Sequence, residues 1–160
     1  MTSLRIASFA RLALMGCACA CGAIARAAGA ASGMEFHPIQ NQPPGTTLPF
    51  SEAVTVGDML YLSGQVGVDA SGKLVAGGIK AETKQVMDNI GAALKRYGSS
   101  YDRIAQCTVA LADIAEWPAF NEVYRGYFKD RFPARMAFAA SGLALNARVE
   151  VQCNAYAGKR

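Results

Sequence analysis

Arg135 stands in a strand-like stretch with room for chemistry beside it. It follows Phe132, Pro133 and Ala134, and its own face of the strand carries only Ala137 and Ala139. Met136, Phe138 and Ala140 take the other face. An arginine flanked by alanines leaves space for a ligand, and its planar fork matches a carboxylate through two parallel hydrogen bonds. Glu150 lies in a second such run, where Val149, Val151, Cys153 and Ala155 alternate with Arg148, Glu150, Gln152 and Asn154. One face there is apolar and the other entirely polar. The same alternation would serve a face turned to water, and Arg135 would equally suit a surface. Periodicity alone does not separate these readings.

Other chemistries find less support. The single histidine, His37, lies in a proline-bearing segment, and a serine–histidine pair would have to use it. No CxxC or HxxxH spacing occurs, so no metal site is expected.

The elements that must position Arg135 and Glu150 follow from the apolar pattern. Phe50 to Val56 and Met59 to Gly64 read as a hairpin across the Gly57–Asp58 turn. Ile79, Val86, Met87, Ile90, Ala93, Leu94 and Tyr97 form a helical stripe, with Gly98 where a helix-terminating glycine belongs. Ile104 to Leu111 reads as a strand with Cys107, Val109 and Leu111 on its apolar face. Pro118 to Phe128 reads as a second amphipathic helix, Pro118 suiting its first turn. Strands over Ala134 to Ala140 and Arg148 to Tyr156 complete the order β-β-α-β-α-β-β. That order predicts an α+β fold with the helices packed on one face of a sheet.

The first residues differ in kind from this domain. Arg5 and Arg11 precede a short apolar run, small residues surround Arg26, and no acid occurs before Glu35. This reads as a signal peptide over residues 1–27, cleaved to leave a periplasmic or secreted protein. A spanning helix would need about 20 apolar residues, longer than the run between Arg11 and Arg26. No membrane association is therefore expected after cleavage. A lipoprotein attached at Cys17 is a lesser alternative, because Met15 and the short run before the cysteine fit a lipobox poorly. Residues 28–48 read as a flexible arm and 49–158 as the domain. Loss of Arg5, Arg11 and Arg26 lowers the count of Lys and Arg from 16 to 13 against 12 acids, a net charge of +1. With so little scattered positive charge, no nucleic-acid partner is expected. Cys107 and Cys153 remain, and both read as buried small hydrophobes, although an oxidising compartment would permit a bond between them.

Five motifs in order carry a resemblance to a known family. Pro49 to Val54, Leu62 to Gly67, Asn121 to Tyr124, Phe132 to Arg135 and Val149 to Val151 resemble the Rid (reactive intermediate deaminase, YjgF-type) family over residues 49 to 156. The resemblance implies a chorismate-mutase-like α+β protomer with a mixed sheet, assembled as a homotrimer with clefts between subunits. It implies hydrolysis of enamines and imines such as 2-aminoacrylate and 2-iminobutanoate to 2-keto acids and ammonia, without metal or organic cofactor. Arg135 matches the arginine that pairs with the substrate carboxylate, and Glu150 the glutamate that positions or activates water. Ser63 and Gly64 match a cleft-lining pair, and Asn121 a recurrent asparagine expected to fix local backbone. The sequence departs from the family at Phe50, where many deaminating members have tyrosine, and at Met136–Ala137, which replace a frequent Ser-Cys pair. Ala137 keeps the main-chain carbonyl used at that position. Gln152 replaces a second glutamate, and Leu143–Ala144 a usual Leu-Pro. A non-catalytic trimer that binds a small carboxylate in the same clefts is the alternative expectation, since fold does not fix function. Ribonuclease activity, attributed to some relatives, would lack both positive charge and a histidine pair here.

Overall fold

The apolar stripe that begins at Ile79 winds into helix α1 (Gly78–Arg96), entered through Gly77 and Gly78, both at positive φ. Its end is set by Gly98, whose φ of 76° places it in the left-handed region. There the N–H of Ser99 donates to the Leu94 carbonyl at 2.7 Å and that of Gly98 to Lys95 at 3.3 Å. This paired closure satisfies helix-end carbonyls that would otherwise lack partners. The computed structural model describes residues 33–40, 45 and 47–158, and the leader expected over residues 1–27 lies outside them.

Strands β1 (Met34–His37), β2 (Ala53–Val56), β3 (Met59–Leu62), β4 (Gln65–Val66), β5 (Ile104–Leu111), β6 (Ala134–Ala139) and β7 (Val149–Tyr156) form one sheet. The order is β1-β2-β3-β7-β5-β6, with β4 also paired to β7. Only β5 and β6 run parallel, so the sheet is mixed. Helix α2 (Trp117–Tyr124) lies on the same side as α1. Val86, Met87, Ile90 and Leu94 of α1 and Phe120 of α2 are fully buried against Leu60, Val109, Leu111, Val149 and Val151 of the sheet. The α+β architecture with helices on one face is as expected. The second helix is shorter than its stripe, because after Tyr124 the chain tightens into a 3₁₀ turn over Arg125–Tyr127.

Two expectations are corrected. Part of the presumed arm is strand β1, paired along β2 from Met34 opposite Val56 to His37 opposite Ala53. Its Met34 and Phe36 are exposed, so main-chain bonding rather than a buried face holds it. His37 adds two anchors: its Nε2 lies 2.8 Å from the Thr55 hydroxyl, and its ring stacks 4.3 Å from that of Tyr97. Cys107 and Cys153 are buried, as read, but they are bonded to each other. The antiparallel register of β5 and β7 sets them directly opposite, with Cα atoms 4.1 Å apart. Forty-six residues separate them in sequence, and only the adjacency of these strands brings them together.

Candidate active site

The two faces of the sheet decide where the candidate residues lie. On β7, Val149, Val151, Cys153 and Ala155 are buried beneath the helices, so Glu150, Gln152 and Asn154 project from the opposite face. Paired residues of neighbouring strands share a face. Glu150 pairs with Ala110 of β5, which pairs with Phe138 of β6; Cys107, buried on the helix side, pairs with Arg135. Arg135 and Ala137 therefore point to the helix side, and Glu150 shares the open face with Met136 and Phe138. Within one protomer the guanidinium and the carboxylate lie on opposite faces of the sheet.

Arg135 occupies an edge strand and reaches under α2. Its guanidinium carbon sits 4.8 Å from the ring centre of Tyr124, 5.6 Å from Phe120 and 5.9 Å from Trp117. Arginine stacks well on aromatic faces, which fixes the plane of the fork without consuming its hydrogen-bond donors. It has no carboxylate partner among the described residues. By contrast, Arg96 is paired to Glu52, and Arg148 is held by both oxygens of Glu116. Arg135 opens on a cavity of about 440 Å³ lined by Asn121, Tyr124, Arg125, Phe132 and Pro133. Tyr124 beneath it is buried, and its hydroxyl has no hydrogen-bond partner among the described residues. Burial pushes that phenol up to about 12, against the opposing pull of the Arg135 charge.

Glu150 is half-buried and has no hydrogen-bond or ion-pair partner among the described residues. Its carboxylate lies against Gly64, where any side chain would collide with it. That proximity arises because the strand breaks at Ser63 and Gly64, between β3 and β4, before resuming opposite Glu150 and Val151. Gln152 bridges the break by donating its amide to the Leu62 carbonyl at 3.0 Å. A glutamate there would be an acceptor facing an acceptor, so this departure has a local reason. The Ser63 hydroxyl donates to the Ser51 carbonyl at 2.6 Å, fixing the loop that carries Phe50, whose ring is 53% exposed.

The structure thus separates the expected site residues into two half-sites. One contains Arg135 and Ala137; the other contains Glu150 and Gly64, with Ser63 and Phe50 on the adjoining backbone. Asn121 lines the arginine cavity rather than only bracing its helix. Trp117, Tyr124 and Arg125 join it there or stack on Arg135, and in sequence they read only as parts of an amphipathic helix. The three-to-four-residue spacing of Trp117, Phe120, Asn121, Tyr124 and Arg125 was the available signal. Among the described residues there is no cluster of potential metal ligands, and no helix is long and apolar enough to cross a membrane.

A family model described as endoribonuclease L-PSP matches residues 40–157. The chain belongs to this family, that of the RidA/YjgF proteins. It is 42% identical over 116 residues to the human protein named 2-iminobutanoate/2-iminopropanoate deaminase, covering 72% of this chain and 85% of that one. It is 35% identical to the chloroplastic Reactive Intermediate Deaminase A of Arabidopsis thaliana, over 69% of this chain and 59% of the relative. Among solved structures, YyfA of the Rid family from Yersinia pestis is 32% identical, with a TM-score of 0.71 over 78% of this chain and 99% of that one. The chain has the fold of these solved relatives, and its own β-β-α-β-α-β-β order carries an additional edge strand, β1.

Proposed function

We propose that this chain hydrolyses small 2-imino acids, and the enamines that tautomerise to them, to 2-keto acids and ammonia. The observation that carries the reading is the pair of complementary, unpartnered half-sites on opposite faces of one sheet. Relatives at 35–44% identity are named deaminases, which supports the reading of this chain as a deaminase. A whole site then forms only when a second copy brings its Glu150 and Gly64 to the Arg135 cavity. The exposed Met136 and Phe138, on the open face with Glu150, supply apolar surface for such an association. A cyclic homotrimer with three clefts is the assembly we assign, with a small imino or keto acid in each.

The chemistry needs few groups. Arg135 grips the carboxylate of the imino acid by two hydrogen bonds, its plane set by the rings beneath it. Glu150 takes a proton from water as the water oxygen bonds to the imine carbon, and passes that proton to the imine nitrogen to give a neutral carbinolamine. Glu150 then takes the carbinolamine hydroxyl proton and delivers it to nitrogen as the C–N bond breaks, releasing ammonia and the keto acid. One carboxyl group shuttles the proton both ways, an acid/base contribution of roughly 10²- to 10⁴-fold. Phe50 brings no hydroxyl and Ser63 spends its proton on Ser51, so acid/base work falls to Glu150. The Ser63 and Phe50 arrangement also favours the second reading, a trimer that binds a small carboxylate without turning it over.

The sole histidine of the chain is committed to Thr55 and Tyr97, which weighs against histidine-dependent ribonuclease chemistry. A periplasmic or secreted location is the reading supported by the leader pattern and by the Cys107–Cys153 bond, which persists in oxidising compartments. The test uses the full gene product purified in its processed form, beside Arg135→Ala and Glu150→Gln. Imines are generated by an amino-acid oxidase, and semicarbazide traps what remains. Depletion of trappable imine by wild type alone supports hydrolysis. Wild type as inert as its variants, yet stabilised by keto acids, would establish the binding protein instead.

A further inference from the structure

Arg135 is not the only arginine on its cavity. Arg125, at the C-terminal end of α2, lines the same space, with Asn121 one helical turn before it. The Nε of Arg125 donates to the Asn121 carbonyl at 3.3 Å, which anchors the base of the side chain. That bond uses one of five N–H donors. The terminal nitrogens have no partner among the described residues. No carboxylate lines the cavity to neutralise either cation. Two exposed cations elsewhere do have acid partners: Lys80 pairs with Glu122 at 2.7 Å and Lys84 with Asp88 at 2.6 Å. The cavity, at about 440 Å³, lies within the range that takes ligands larger than a three-carbon acid.

We infer that this cavity reads two anionic groups, and that the favoured substrates are imino acids with a second carboxylate at the far end. This rests on the imine-hydrolysing reading of the site and adds the substrate class. Arg135 holds the carboxylate next to the imine carbon. Arg125 receives the distal carboxylate, in the cavity that Asn121 also lines. Two like charges facing one cavity repel each other, and a dianion relieves that repulsion while a monoanion answers only one of them. Arg125 is thus a specificity-determining residue, remote from the bond that breaks.

Stable keto acids provide a readout independent of turnover. Isothermal titration of the processed protein with 2-oxoglutarate and with 2-oxobutanoate gives the ratio of their affinities. The expected ratio favours 2-oxoglutarate by roughly tenfold or more, the scale of a charge-assisted hydrogen bond. Arg125→Gln should bring the ratio close to unity, and Arg125→Lys should restore part of it. The same ratio is then measured as kcat/KM for imines generated from glutamate and from 2-aminobutanoate. A wild-type ratio near unity, or one unchanged in Arg125→Gln, overturns the assignment. If no imine is turned over but the binding ratio behaves as expected, the hydrolytic reading falls and the two-anion cavity stands. If imines are turned over without preference for the dicarboxylate, the hydrolytic reading stands and the two-anion cavity falls.

Discussion

Mixing two inactive variants should restore activity, because Arg135 and Glu150 of one chain face opposite sides of its sheet. Alone, Arg135→Ala loses the anchor for the substrate carboxylate, a positioning loss on the order of 10²-fold. Glu150→Gln loses the proton shuttle, roughly 10²- to 10⁴-fold. When the two are co-assembled, a site is whole if its arginine comes from a Glu150→Gln chain and its glutamate from an Arg135→Ala neighbour. In an equimolar random mixture each condition is met half the time, so about a quarter of the sites, and of wild-type activity, should return. The disulfide lies within one chain and does not hinder exchange of subunits. Co-expression with distinct affinity tags and the semicarbazide assay measure the recovery; tandem purification discards the homotrimers, so the purified mixed trimers, with one whole site of three, should show about a third. Mixed oligomers that remain as inert as either parent would refute the cross-subunit site, since the sheet geometry leaves no other route by which the two groups meet.

Other perturbations test the supporting structure. Reducing the Cys107–Cys153 bond opens a loop spanning 46 residues, and chain entropy puts the loss of stability at about 4 kcal/mol, read by urea unfolding with and without reductant. A loss below about 1 kcal/mol would mean that the bond constrains little. Gly64→Ala places a methyl group against the Glu150 carboxylate, so kcat should fall by at least about tenfold while the melting temperature moves little; unchanged kcat would detach Glu150 from the chemistry. Alkaline titration should show stability falling above pH 10. Burial raises Tyr101 and Tyr124 from 10.0 to about 12, so the unfolded chain loses those protons first. Their contribution is fully present below pH 10 and is lost as pH rises from 10 towards 12. Tyr124→Phe should make that fall shallower and, near neutrality, stabilise by about 1 kcal/mol, because a buried hydroxyl without a partner is removed. Destabilisation by Tyr124→Phe would point to a hydrogen bond the fold requires.

The sheet and helices were legible because burial imposes period on sequence. Val149 to Ala155 alternate so regularly that the face carrying Glu150 could be named without coordinates. Arg135 was harder. The alternation in β6 defines two faces but not which one is covered. Met136 and Phe138, the larger apolar residues, turn out to be exposed at 56% and 44%, while the arginine and its alanines face the helices. A rule that apolar side chains point inward would have put Arg135 and Glu150 on one face, and so in one protomer. The edge strand β1 escaped for a related reason: it is held by main-chain bonds and by His37, neither of which leaves a period. Arg125 escaped because a lone basic residue ending an amphipathic helix also suits the helix dipole.

The disulfide joins these threads, since the separation of the half-sites depends on strand register. Side chains alternate with a period of two, so a slip of one residue would send every side chain of a strand to the other face. Arg135, Cys107 and Cys153 occupy one rung across β6, β5 and β7. Glu150 lies three residues along β7, an odd number, and therefore on the opposite face. A covalent bond on that rung forbids slippage between β5 and β7 at the point where an error would turn Glu150 into the core. β5 has two alanines in eight residues and is irregular between Ile104 and Gln106, so packing specifies its register less firmly than large side chains would. Cross-linking there secures the register that places Arg135 and Glu150 on opposite faces of the sheet.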